Sequence, residues 1–173
     1  MDLISALPDE MLILVLARLR CFRTAVQTSL LSRRWRGLWI GLTDLTFRGL
    51  APTTIGALLC RFAASPQVST LDICLSSRLA TNDDADSLLR AAVPLSPGKL
   101  IFTLQDSPPK GCINLPCLKF TTSIELGTRF VGVKPPRTGE FTALQSLSVT
   151  GRIIHLGPML IRCPRLRVLT VTL

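Results

Sequence analysis

Tyrosine is absent from this 173-residue sequence, and histidine occurs once, as His155. Its neighbours in "RIIHLG" include no acidic residue that could orient it, so a Ser/His or Cys/His nucleophile system is not supported. Glycine-rich phosphate loops, zinc-ligand spacings and paired catalytic carboxylates are also missing. The sequence therefore argues against an enzyme, and we expect no cofactor and no metal.

Long apolar runs are lacking as well, since none approaches the ~18 residues that a membrane helix requires. The opening "MDLISALPDE" has neither the basic region nor the cleavage site of a signal peptide. Six cysteines are scattered without CxxC spacing, which fits reduced thiols that act as small core residues. We expect a protein of the cytoplasm or nucleus, without a membrane partner.

Acidic residues are scarce: 11 Asp and Glu stand against 20 Lys and Arg, for a formal net charge of +9. Residues 18–36 contain arginines but no acidic residue. Such a segment predicts an acidic partner, either protein or nucleic acid. A solvated basic face is the alternative interpretation.

Apolar residues are abundant, at 47% of the sequence, and residues 11–17 form a continuous apolar run. Pro8, followed by two acidic residues, is typical of a helix start, and we predict a first helix that ends near Leu19. One face of a helix cannot bury so many apolar residues. The surplus indicates that a second surface covers this helix.

Two shorter helices are predicted next, because Thr24 and Ser32 are both suited to cap a helix N-terminus. The spacing of Trp35, Leu38 and Trp39 places these three side chains on one face of the second helix. Trp35 is the better candidate for a partner contact and Trp39 for the core.

From residue 42 onward the pattern apolar-x-x-apolar-x-apolar recurs, with four copies in register at intervals of 22 to 23 residues. Such a period is typical of leucine-rich repeats, in which each copy of the pattern forms a parallel strand. The matching sets are Leu42/Leu45/Phe47, Val68/Leu71/Ile73, Lys99/Phe102/Leu104, Thr121/Ile124/Leu126, Leu144/Leu147/Val149 and Leu166/Leu169/Val171.

Between the sets, three segments favour helices. "PTTIGALLCRFAAS" places Ile55, Leu58, Leu59 and Phe62 on one face, "NDDADSLLRAAV" opens with Asn82 as a capping residue, and "GPMLIRCP" allows little more than a turn. Residues 107–116 and 132–141 are rich in Pro and Gly, and we expect them to lie outside the stack.

The segments "LPDE" (7–10), "AVQTSLLSRRWRGLW" (25–39) and "LTDLTF" (42–47) resemble the F-box in its plant form, joined to leucine-rich repeats. This resemblance implies an α/β fold: a small N-terminal F-box helical bundle over 1–47, followed over 48–173 by a leucine-rich-repeat solenoid with parallel strands. Several members of the family carry a C-terminal FBD domain. The sequence stops at "LTVTL" within a repeat strand, so we expect that domain to be absent and the repeats to be incomplete.

The resemblance also implies a function, that of a non-catalytic substrate-recognition adaptor of an SCF-type (Skp1–cullin–F-box) E3 ubiquitin ligase. The F-box would bind a Skp1-like protein, and through it the cullin complex, while the repeats would bind an unknown protein substrate destined for proteasomal degradation. The residues carried over to the Skp1 contact are Leu7, Pro8, Leu12, Leu16, Leu19, Leu31, Ser32 and Trp35. As a hypothesis, the substrate binds on the concave strand face or its adjoining loops, where the candidate contacts are Ser69, Asp72, Thr103, Ser123, Glu125, Ser146, Ser148, Arg167 and Thr170.

Two alternatives remain open at this point. Residues 23–39 also fit a basic helix-turn-helix that binds nucleic acid, although Trp35, Leu38 and Trp39 make its second helix too apolar for a DNA groove. The N-terminal helices could instead only cap the solenoid, although caps usually present a polar outer face. The acidic cluster Asp83, Asp84 and Asp86 suggests a metal site, but it fits the acidic first turn of a helix better.

Overall fold

The computed structural model describes residues 7–18, 27, 35, 38–63, 68–76, 80–105 and 111–172, apart from the side chains of residues 129 and 130. Within these residues the chain forms a seven-stranded sheet in which every strand pair is parallel. The strands are β1 (Asp44–Arg48), β2 (Thr70–Ser76), β3 (Lys99–Gln105), β4 (Gly111–Asn114), β5 (Ser123–Lys134), β6 (Ser146–Ile153) and β7 (Val168–Thr172).

The described helices are α1 (Asp9–Arg18), α2 (Pro52–Phe62), α3 (Asn82–Ala92) and α4 (Leu156–Ile161), with a 3-10 helix over Leu38–Gly41. The strand order β1-β2-β3-β5-β6-β7 follows the chain, and β4 pairs with β5 off this path. Sequential parallel strands joined by crossovers are the arrangement predicted for stacked repeats. The predicted parallel-strand solenoid is thus consistent with the structure, whereas the implied helical bundle lies largely outside the described residues and stays a prediction.

The inward-facing rows of the sheet confirm five of the six predicted repeat sets. Leu45 lies opposite Leu71, Ile124 lies opposite Leu147, and Leu147 lies opposite Leu169. Nearly all side chains in these rows are buried. Successive residues of a strand point to opposite faces, so each strand has one side towards the core and one open side. Only the β7 members of the rows, Leu169 and Val171, remain exposed.

The set Lys99/Phe102/Leu104 was predicted two residues out of register. Leu100, not Phe102, pairs with Leu71, and Phe102 pairs with Ile73, so the true set begins at the buried Pro97. A step of 22 residues back from Thr121 leads to Lys99, whereas the sheet pairs Leu100 with Ile124, which is 24 residues further on. A one-step error along a strand exchanges the faces, whereas a two-step error keeps the face, which is why the faces remained correct.

Hydrogen bonds also join neighbouring repeats just before each strand. There, a backbone N–H group donates to a backbone carbonyl of the preceding repeat. The bonds are Ser69 N–H to Thr43 O (2.8 Å), Lys99 N–H to Ser69 O (2.9 Å), Thr122 N–H to Gly98 O (2.8 Å), Gln145 N–H to Thr122 O (2.8 Å) and Arg167 N–H to Gln145 O (2.8 Å). Each strand therefore starts at the same height in the stack, whatever the length of the connection before it.

Helices α2 and α3 form as predicted, and both bury one apolar stripe against the sheet. In α2 the stripe comprises Ile55, Leu59 and Phe62. The predicted cap of α3 was wrong by one residue, because Thr81 is the N-cap instead of Asn82. The Thr81 hydroxyl accepts from the Asp84 N–H at 3.2 Å, and the Asp84 carboxylate accepts from the Thr81 N–H at 2.8 Å, which is a capping box.

The two Pro- and Gly-rich segments do not lie wholly outside the stack, as had been expected. Residues 111–114 form β4, which pairs with the second half of β5 from Val131 to Lys134. Strand β5 is twelve residues long because it extends into the second of these segments. A register shift between Gly127 and Gly132 absorbs the extra length against β6.

Candidate partner-binding surface

Helix α1 begins where the sequence predicted, directly after Pro8. The carbonyl of Pro8 accepts from the N–H groups of Met11 (3.1 Å) and Leu12 (3.2 Å), which satisfies donors that a helix start leaves unpaired. Asp9 and Glu10 stand in the first turn and Arg18 in the last, an order that favours the helix dipole at both ends.

This helix has two apolar faces. Leu12 and Leu16, four residues apart, are each only 1% exposed. Met11, Leu14 and Val15, which share the other side by their spacing of three and four, are 48%, 59% and 45% exposed. We call these three side chains the α1 stripe, and the structure leaves them uncovered by the described residues.

The buried face of α1 is held against the repeats through the 3-10 helix. A Cβ atom on Gly41 would lie 3.0 Å from the Ile13 side chain, so α1 approaches this backbone closely. Trp39 is buried and meets Phe62 of α2 edge-on, with ring centroids 5.6 Å apart. The guanidinium of Arg61 lies 5.9 Å from the Trp39 ring centroid, within the range of a cation–π contact.

The residues that the resemblance implies for the Skp1 contact occupy different environments in the structure. Leu12 and Leu16 point into the core, Leu7 and Trp35 are half-buried, and Pro8 is exposed. Trp39 belongs to the core, as its spacing suggested. Leu19, Leu31 and Ser32 lie outside the described residues, and whether any of these positions contacts a partner stays a prediction. Sequence reasoning did not single out Met11 and Val15, because their apolar character alone cannot distinguish the two faces.

The candidate substrate positions within the strands lie on the open face of the sheet, whereas Ser69 and Arg167 directly precede β2 and β7. Two of the positions on the open face are already paired. Asp72 is buried and accepts from the Arg48 guanidinium at 2.7 Å; this hydrogen bond is the main cause that raises the pKa of Arg48. Glu125 lies 2.7 Å from the Lys99 ammonium, with both side chains about half exposed. Ser123, Ser146 and Ser148 lie on the same face beside them.

The five cysteines among the described residues differ in burial. Cys74 and Cys163 are buried, as expected of core thiols, and Cys112 and Cys117 are half-buried. Cys60 is exposed, so the expectation is wrong for that residue. Burial raises the pKa of Cys163 to about 11, and the neighbouring Cys117 adds to the effect. Burial also raises the pKa of Cys74.

Among the described residues, no group of three or more His, Cys, Asp or Glu side chains gathers in a way that could hold a metal ion. Asp84 belongs to the capping box, and Asp86 is bound by Asn114. In the same part of the chain, none of the helices is both long and apolar enough to cross a bilayer.

A parallel sheet built from buried repeats of the pattern apolar-x-x-apolar-x-apolar is the arrangement of a leucine-rich-repeat protein, and the structure fits that class. Sequence similarity to proteins of Arabidopsis thaliana points to a more specific group within this class. F-box/LRR-repeat protein At3g03360 is 32% identical over 160 residues, which cover 86% of this chain and 33% of that protein. F-box/LRR-repeat protein 25 is 29% identical over 155 residues, which cover 86% of this chain and 58% of that protein.

A shorter segment is more similar still: FBD-associated F-box protein At4g10400 is 51% identical over 47 residues, or 27% of this chain and 11% of that protein. The resemblance to plant F-box/LRR-repeat proteins is thereby confirmed over most of the chain. The chain spans from about a third to just over half the length of the F-box/LRR-repeat relatives named here. No family model and no solved structure matches it.

Proposed function

We propose that this chain is a substrate-recognition adaptor of an SCF-type E3 ubiquitin ligase in the plant cytoplasm or nucleus. In this role, α1 contributes to the contact with a Skp1-like protein, and the repeats hold a protein substrate. The relatives are F-box/LRR-repeat proteins, which supports an F-box role for this chain. The chain itself would carry out no chemistry, because other subunits of such a ligase transfer ubiquitin.

The observation that carries the proposal is the α1 stripe. Leu14 is the most exposed large apolar residue of α1, although it belongs to a helix whose opposite face is fully buried. Contiguous exposed apolar side chains on an otherwise folded helix mark an interaction surface. Arg18 at the end of α1 fits the charged rim of such a surface.

The test is co-expression of the chain with a plant Skp1-like protein, followed by purification of the complex. We expect Leu14→Asp combined with Val15→Asp to lower recovery of the partner at least tenfold, because two carboxylates would be buried without counter-charges. The fold should survive, since both side chains are exposed in the free chain. Circular dichroism and a thermal unfolding curve of each variant check this point.

A matched control is available at the far end of the sheet. Leu160 and Ile161 of α4 are also exposed, at 38% and 81%, so Leu160→Asp combined with Ile161→Asp makes the same chemical change away from α1. We expect this control to recover the partner at the native level. The proposal fails if no complex forms, or if both double variants lose the partner equally. Partner-independent DNA binding with a steep salt dependence would favour the helix-turn-helix alternative instead.

A further inference from the structure

A cleft of about 490 Å³ opens on the helix side of the sheet, away from both the α1 stripe and the open strand face. The last turn of α3, with Arg90, and the following Val93 form one wall. The opposite wall is formed by Pro116 and Pro135, with Arg137 beside them. We call this feature the proline cleft. Its volume is in the range of sites that bind small ligands or short peptide segments.

The proline side of the cleft is held by backbone and side-chain hydrogen bonds. The Leu115 N–H donates to the Lys134 carbonyl at 3.0 Å, which ties the two proline segments to each other. The guanidinium of Arg162 donates to the carbonyls of Arg137 (3.1 Å) and Gly139 (3.2 Å), which holds the rim. A site with a held backbone loses little conformational freedom when it binds a ligand.

The charge of the proline cleft has one sign. Arg90 and Arg137 are exposed, and among the described residues that line the cleft there is no aspartate or glutamate. Two carboxylates are near these arginines in sequence. Asp86 accepts hydrogen bonds from Asn114 on both of its oxygens, and Glu140 is not among the residues that line the cleft. On the open strand face the situation is different, because Arg48 and Lys99 already have carboxylate partners there.

We propose that the proline cleft binds a short extended peptide of acidic character. Its carboxylates would pair with the guanidinium groups of Arg90 and Arg137, since arginine binds carboxylates through two parallel N–H donors. A proline or small apolar side chain of the peptide would pack between Val93, Pro116 and Pro135, which offer rigid apolar surface. The assignment of this peptide to a ligase substrate rests on the proposed function, whereas the binding itself does not.

The experiment uses the full chain and a fluorescein-labelled hexapeptide of alternating glutamate and proline, followed by fluorescence anisotropy. We expect saturable binding that Arg90→Glu combined with Arg137→Glu weakens at least tenfold. The matched control, Arg152→Glu combined with Arg165→Glu, alters two exposed arginines and changes the net charge equally. We expect it to weaken binding by no more than twofold. If the first double variant does not fold, Arg90→Gln with Arg137→Gln replaces it, with the same expectation of a loss.

Three results would overturn this proposal: no saturable binding, equal loss in the two double variants, or equal binding of the same peptide with glutamine in place of glutamate. Failure here is distinguishable from failure of the proposed function. The Arg90/Arg137 variant should still recover the Skp1-like protein, and the Leu14/Val15 variant should still bind the hexapeptide.

Discussion

Asp86 accepts two hydrogen bonds from Asn114, one on each carboxylate oxygen. The backbone N–H of Asn114 donates at 2.7 Å, and its side-chain amide donates to the second oxygen. The carboxylate lies in α3 and its partner in β4, so this pair attaches the short strand β4 to a helix as well as to β5. It also explains why a carboxylate that is only 8% exposed is tolerated there.

We expect Asp86→Ala to lower the free energy of unfolding by about 2 kcal/mol, because a hydrogen bond to a charged group contributes about 1.5–3 kcal/mol and Asn114 would lose its partner. Urea denaturation at neutral pH measures this. Asp83→Ala is the control, since Asp83 is exposed in the same helix turn and should change the value by less than about 0.5 kcal/mol. Equal losses from both substitutions would show that charge near the helix start, not the contact with Asn114, is responsible.

The capping box of α3 makes a pH-dependent contribution to stability. Hydrogen bonds from the Thr81 backbone and hydroxyl lower the pKa of Asp84. A carboxyl group whose pKa is lower in the folded state stabilises the protein above its unfolded pKa of about 4, and this contribution is lost as the pH falls through the folded-state pKa.

Thr81→Ala should therefore lower the free energy of unfolding by about 1 kcal/mol at pH 7, as is usual for loss of an N-cap. The difference from the native chain should shrink as the pH falls from about 4 towards 2. Urea denaturation series at several pH values test this. Thr54→Ala, an exposed substitution in α2, should leave the acid dependence unchanged. A difference that stays constant down to pH 2 would rule out a contribution from the hydrogen bond between the Thr81 hydroxyl and the Asp84 carboxylate.

Alkylation should separate the cysteines. Cys60 is exposed, whereas burial raises the pKa of Cys163 to about 11, which keeps that thiol protonated at pH 8. Because the thiolate is the reactive form, we expect iodoacetamide to modify Cys60 at least about a hundredfold faster than Cys163 in the native chain. Mass spectrometry of tryptic peptides gives both rates. In 8 M urea the two rates should converge; if they already match in the native chain, the burial of Cys163 is wrong.

Gly151 and Gly157 should respond to alanine with opposite signs. Gly151 has a φ of +136°, and a Cβ there would lie 2.9 Å from the Thr128 carbonyl oxygen. We expect Gly151→Ala to destabilise the chain by at least about 2 kcal/mol, through backbone strain and a clash with main-chain atoms. Gly157 lies in α4, where an added Cβ meets nothing within 4 Å, so Gly157→Ala should stabilise by up to about 1 kcal/mol. Thermal unfolding of both variants provides the comparison.

The sequence predicted the repeats well. Each repeat buries one side of its strand, so apolar residues recur at regular intervals along the chain. It misplaced the third set at Lys99, since the chain keeps its hydrogen-bonded height between repeats while the lengths of the connections vary. The pair Asp86–Asn114 could not be predicted for a different reason. Its partners lie 28 residues apart, and nothing local distinguishes Asp86 from the other acidic residues in its helix turn.

The candidate surface was predictable only in outline. A surplus of apolar residues in α1 indicated a second face, but the choice between Leu12 and Leu14 depends on which side of the helix meets Trp39 and the 3-10 helix. That choice is made by tertiary contacts. The sequence marked the two proline-rich segments but not the cleft, because its walls come from α3 and two separate connections that only the sheet brings together.

The strand order has a consequence for how two bound molecules would be spaced. Neighbouring strands lie about 4.8 Å apart, and five such steps lead from β1 to β7. Helix α1 is anchored at the β1 end, whereas the proline cleft lies beside β4 and β5. The hydrogen-bonded sheet would therefore hold a protein bound to α1 and a peptide bound in the proline cleft at a fixed distance from each other. Flexible loops alone would leave this distance variable.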